Sequence, residues 1–209
     1  MRSLALPLHS PCPEPAFGAR VPWSRSPGRW AYYCPLPLTC PCSSIGPTKP
    51  MKPRVYIETT VVSYLTARPS RDLIMEARQE VTREVWDRLL NECECFVSAV
   101  VVLEAGKGDE TAAARRLAAI QTMPVLHVGH EAERLAQILV SEKAIPTEYS
   151  EDAHHVAPAA LNGRDFLVTW NFPHINNAAT RHKIRALVEA QGLACPELCS
   201  PEEVFGELE

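Results

Sequence analysis

No run of about eighteen apolar residues occurs in the 209-residue sequence, so a membrane-spanning helix is excluded at the outset. Paired C-x-x-C motifs are missing as well. The eight cysteines fall in groups such as Cys40-Pro-Cys42, Cys93-Glu-Cys95 and Cys195-Pro-Glu-Leu-Cys199, which suit neither a structural zinc site nor a disulfide scaffold. Scattered thiols without a role fit a reducing compartment, and a cytoplasmic protein is expected. Excess positive charge is lacking too. With a net charge of −4, no whole-molecule field attracts nucleic acid, and any such role must come from a local site.

What is present is unevenly spread. Eleven of the 19 prolines and four of the eight cysteines lie in residues 1–50, with five basic residues and a single acid, Glu14. The remaining 159 residues hold 16 Lys and Arg against 24 Asp and Glu, a net charge of −8. Prolines every few positions forbid a long helix or a central strand, so residues 1–50 read as a disordered leader. Pro7 and Pro11 cut the apolar stretch Leu4-Ala5-Leu6 short of a secretory h-region. Met51-Lys52-Pro53 opens directly onto an apolar strand, which marks Met51 as a candidate natural start and 51–209 as the folded domain.

Within that domain short β-rich runs alternate with helical periods. Strands are expected at Arg54 to Ile57, from Cys95 to Ser98, at Pro124 to Val128 and at Asp165 to Thr169. Ile74, Ala77, Val81, Val85 and Leu89 mark a long helix that Ser70 can cap. Further helical faces are Ala113, Leu117 and Ile120, then Ala132, Leu135, Ala136 and Leu139, then Ile184, Leu187 and Val188. Ser200-Pro201-Glu202-Glu203 carries a capping-box pattern and predicts a short closing helix. Strands separated by helices need crossover connections, hence an α/β fold on a mostly parallel sheet covered on both faces.

In such sheets chemistry gathers at the carboxyl edge. Glu58 follows the first strand and Asn171 follows the fourth. Glu104 lies about two helical turns beyond the second, in an otherwise apolar run, and Asp152 sits at the expected start of a helix. Three carboxylates converging on one edge repel one another unless a cation joins them. Oxygen ligands alone suit Mg²⁺ or Mn²⁺, and the reaction such a site serves best is hydrolysis of a phosphodiester. Taken singly, Glu58 also reads as a helix-end charge, Glu104 and Asp152 as solvated acids and Asn171 as a turn former. Neighbours on a helix point about 100° apart, so His154 and His155 cannot converge on one ion, and a packing or surface role is expected for both. His174, near the edge, is a candidate phosphate contact. Arg68, Arg71 and the Arg181-His182-Lys183-Arg185 cluster are candidate holders of an RNA backbone, and Trp170 either stacks a base or packs under the edge.

Two blocks then stand together: Val55-Tyr56-Ile57-Glu58-Thr59-Thr60-Val61-Val62-Ser63-Tyr64-Leu65, and Asp152 to Ala157 followed by Asn162 to Asn171 and His174-Ile175. In these the chain resembles the PIN domain, specifically the VapC type of bacterial toxin ribonuclease. The resemblance implies a three-layer α/β/α sandwich and a Mg²⁺- or Mn²⁺-dependent endoribonuclease. Glu58, Glu104 and Asp152 would take the three acidic positions and Asn171 the fourth. It further implies an antitoxin partner that blocks the site, and a homodimer. Glu58 is one methylene longer than the family's usual Asp, and Asn171 is neutral where Asp is common. Pro158 removes a donor from the helix carrying Asp152, and a kink at the cost of about 3 kcal/mol is expected. The alternatives left open are a degenerate PIN domain that binds RNA or protein without cutting, and a phosphohydrolase acting on DNA.

Overall fold

A computed structural model describes residues 51–205, and the expectations for residues 1–50 lie outside the described residues. The fold is α/β. Five parallel strands, β1 (Arg54–Ile57), β2 (Glu94–Ser98), β3 (Val125–Leu126), β4 (Phe166–Val168) and β5 (Glu197–Cys199), form one sheet in the order β3-β2-β1-β4-β5. Seven α-helices connect them: α1 (Thr59–Thr66), α2 (Leu73–Glu92), α3 (Ala99–Ala105), α4 (Glu110–Ile120), α5 (His130–Ser141), α6 (Ser150–Leu161) and α7 (Ala178–Ala190). None of the described helices is long and apolar enough to cross a membrane.

Residues Val55, Tyr56 and Ile57 are all fully buried although successive strand side chains point to opposite faces, so β1 is covered on both sides. β1 pairs with β2 on one side (Val55 opposite Cys95) and with β4 on the other (Ile57 opposite Val168). From β1 the chain moves outward through β2 to β3, then crosses back to β4 and β5 on the opposite side. The order therefore reverses between β1 and β4, and the ends of these two strands flank the crevice where parallel sheets bind ligands.

Several elements depart from the sequence expectation. The long helix is capped by Asp72, whose side chain accepts from the Met75 amide at 2.9 Å, whereas Ser70 Oγ serves the Asp72 amide at 3.1 Å. Pro158 falls inside α6, as the sequence expects. α6 continues to Leu161 with Ala153, Val156, Ala157, Ala159 and Ala160 buried, and that packing sustains it where one backbone bond is lost. The closing helix is a single 3-10 turn, Glu202–Val204, with the Ser200 amide donating to Glu203 Oε2 at 2.7 Å. β5 carries no signal in the sequence: three residues after Pro196 are too few to show a period. Cys95 and Cys199 lie inside the core, where burial pushes each thiol up to about 12, so both stay protonated and unreactive at neutral pH.

Candidate metal centre

β1 ends at Ile57, and the next residue, Glu58, caps α1. Its backbone amide still donates to Val168 O on β4, at 3.1 Å, while its Oε2 accepts from the Thr60 amide at 3.0 Å. Thr60 Oγ1 and Thr169 Oγ1 donate to the same oxygen, the latter at 2.7 Å. One carboxylate oxygen is thus held by three donors from α1 and the end of β4. The other, Oε1, faces His155 Nε2 at 3.8 Å. Only 3% of Glu58 is exposed, so this acid is a built-in part of the sheet edge.

The short helix α3 follows directly on Ser98, and its second turn presents Glu104. Glu104 Oε2 accepts from Thr59 Oγ1 and lies 3.2 Å from His155 Nε2. Burial acts to raise the Glu104 carboxyl, but the bond from His155, its charge and the Thr59 hydroxyl outweigh it, and the group sits below the usual carboxylate range.

Between the two acids stands His155, 1% exposed. Among the described residues, Glu58, Glu104 and His155 form the group able to hold a metal ion, with ligand atoms all within 4.8 Å of one another. His155 is packed in the core, as expected, and in addition its ring stands between two acids. It lies three residues after Asp152, and on a helix that spacing places both on one face. His154 takes the predicted outward role, half-buried with Nε2 3.0 Å from Glu133 Oε2. Behind His155 the Tyr56 hydroxyl lies 2.9 Å from Nδ1 and 2.8 Å from Ser98 Oγ, forming a buried polar chain. Burial desolvates the His155 imidazole and pulls its pKa down. The Glu104 bond and the charges of Glu58, Glu104 and Asp152 prevail, so it is held above the usual imidazole range. Burial also raises the Tyr56 phenol, which stays protonated.

Asp152, in the first turn of α6, lies outside the 4.8 Å group, though near enough for the charges of Glu58 and His155 to act on it. Its Oδ2 is buried and has no hydrogen-bond partner. Burial raises its carboxyl and Glu58 adds to the effect; the Asn171 amide, His155 and His174 offset only part, so it holds a proton more readily than an ordinary Asp. Asn171 Oδ1 accepts from the His174 amide at 3.2 Å and so closes the turn after β4. That bond uses one of the two lone pairs of the carbonyl oxygen.

The expected basic contacts divide. Arg68 and Arg71 are exposed, and Arg68 lines a cavity of about 490 Å³ with Arg115 and Arg116. Arg181, however, pairs with Glu203 at 3.4 Å and Arg185 with Glu197 at 2.5 Å, so acids of the C-terminal segment engage the two arginines of that cluster. Trp170 packs under the edge, 4% exposed, and donates from Nε1 to Thr82 Oγ1 at 2.8 Å. A cavity of about 190 Å³ lined by Val100, Leu103, Glu104, Lys107, Glu151 and His154 opens beside the cluster.

The donor set fits a divalent cation. Two carboxylates and one imidazole converge, a third carboxylate stands close by with an orphaned buried oxygen, and the Tyr56 hydroxyl orients the far nitrogen of the histidine as metal-ligating imidazoles require. No family model matches the chain, and no curated protein matches its sequence.

Proposed function

We propose that the chain is a metal-dependent endoribonuclease on a PIN-like three-layer α/β/α sandwich, the toxin of a toxin-antitoxin pair. The observation that carries this reading is the convergence of Glu58, Glu104 and His155 at the point where the strand order reverses, with the unpartnered oxygen of Asp152 beside them. Glu58, Glu104 and His155 would hold a Mn²⁺ or Mg²⁺ ion. When bound, such an ion supplies Lewis acidity and positive charge at a phosphate. The imidazole in the set widens the choice beyond Mg²⁺ and favours Mn²⁺.

The chain's own residues do the rest. Three donors lock Glu58 Oε2, so the carboxylate cannot swing and its free oxygen stays aimed at the cluster. Tyr56, donating to or accepting from His155 Nδ1, fixes the ring so that Nε2 faces the acids. Asp152 takes the proton of an attacking water at Oδ2, the oxygen without a partner, and its raised carboxyl suits it to that transfer. Asn171 holds the Asp152 side of the site in register with β4. A cognate antitoxin covering the edge, and a homodimer, belong to the same reading.

A second reading is favoured by one observation. His155 as an imidazolium sits 3.2 Å from Glu104 and 3.8 Å from Glu58, where it is itself a counter-charge and removes the need for an ion. The domain would then bind RNA or protein without cutting. The two are separated by RNA cleavage with the purified full chain and Mn²⁺ or Mg²⁺, beside EDTA and the Asp152→Asn variant. The nuclease reading expects cutting that disappears with EDTA and falls at least about 10²-fold in the variant. No cutting with any divalent ion overturns it in favour of the second, and cutting that survives the substitution overturns the role given to Asp152.

A further inference from the structure

Tyr149 ends the 3-10 turn Thr147–Tyr149 that leads into α6, three residues before Asp152. His174 ends the turn after β4, three residues beyond Asn171. The two rings stack, with centroids 3.7 Å apart and planes 20° from parallel. His174 is half-buried, tied through its amide to Asn171, and its charge acts on Asp152. Tyr149 remains 49% exposed, with an aromatic partner on one face. A large ring left this open beside a cluster of acids is placed for a ligand that brings its own flat surface.

From this geometry we infer that Tyr149 and His174 form a stacking platform for an unpaired nucleobase next to the phosphate held at the carboxylate cluster. The inference rests on the nuclease reading for the identity of the strand. It deepens that reading by naming which part of the RNA is gripped beside the acids. Every base has a π-face, so a platform of this kind confers a demand for a single strand with little demand for sequence. A duplex keeps its bases stacked on one another and cannot supply the ring. Tyr149 carries most of the contact because it is the more exposed of the two rings, and His174 braces it.

The test uses the full chain with Asp152→Asn as the non-cleaving background, and fluorescence anisotropy of a labelled single-stranded oligoribonucleotide. Tyr149→Leu is expected to weaken binding about tenfold, while Tyr149→Trp restores it. An abasic nucleotide scanned along the oligonucleotide should cost the same factor at one position and cost nothing further in Tyr149→Leu. Binding unchanged by Tyr149→Leu, losses that add at every position, or equal binding of the duplex would overturn the platform. The nuclease reading fails separately. If the unsubstituted chain cuts no RNA with Mn²⁺ yet Tyr149 still governs single-strand binding, the platform stands without the chemistry. If it cuts and Tyr149 has no effect on binding, the chemistry stands without the platform.

Discussion

Replacing His155 with leucine removes the positive partner from between Glu58 and Glu104 while leaving a side chain of comparable size in the core. The two carboxylates then face each other within 4.8 Å. At an effective dielectric of about 20 their repulsion is about 3.5 kcal/mol. Breaking a buried pair by deleting one member costs a similar amount, about 3–5 kcal/mol. The pH dependence follows from the direction of each shift. His155 is raised, so its contribution is complete below its ordinary value of 6.5 and is lost as pH climbs through the higher folded value. Glu104 is lowered, so its contribution is present above its ordinary 4.5 and is lost as pH falls through the lower folded value. The triad therefore stabilises the metal-free chain most between 4.5 and 6.5. Urea unfolding in EDTA should show a gap between wild type and His155→Leu of about 3 kcal/mol near about pH 6, narrowing as pH falls below 4.5 and Glu104 loses its charge. A gap that does not change with pH, or a variant more stable than wild type near pH 6, would refute the counter-charge argument.

Two further outcomes follow from the same site. Tyr56→Phe deletes the hydroxyl between His155 Nδ1 and Ser98 Oγ; leaving the buried nitrogen unpaired should cost about 1–3 kcal/mol in unfolding free energy, and the variant's Mn²⁺ affinity, read by calorimetry, should fall about tenfold or more. Mn²⁺ added to the wild-type chain at about a hundred times its dissociation constant should stabilise it by about 2.7 kcal/mol, seen as a rise in melting temperature that Glu58→Gln largely removes.

The sheet and most helices were legible because β1, β2 and β4 are apolar runs bounded by polar residues and α5 keeps a clear apolar face; α2 is a helix as expected, but Ile74 and Ala77 are exposed and Gln79 and Thr82 are buried beside Val85 and Leu89. Glu58 and Asn171 were legible for the same reason: each is the first polar residue after a strand that must be buried. What stayed hidden depended on three-dimensional partners. β5 takes its identity from pairing with β4, through Phe166 opposite Glu197, and its own three residues carry no period. His155 looked like a core histidine, and it is buried. Its chemistry comes from Glu58 and Glu104, 97 and 51 positions earlier in the sequence. The Asp152 and His155 spacing was the signal that could have found it. Arg181 looked like a free cation because Glu203 lies 22 positions away, across the turn that follows β5.

Glu58 serves two masters through its two oxygens. Oε2 is the cap of α1 and the acceptor for Thr60 and Thr169, while Oε1 looks into the cluster. Folding and site chemistry are therefore written into one side chain and cannot be tuned apart by a random change there. Alanine at this position would uncap a helix and delete a ligand together, so loss of activity in such a variant would carry no message about chemistry. Glutamine keeps an acceptor for the cap and gives up the charge, which makes it the substitution that tells the two duties apart.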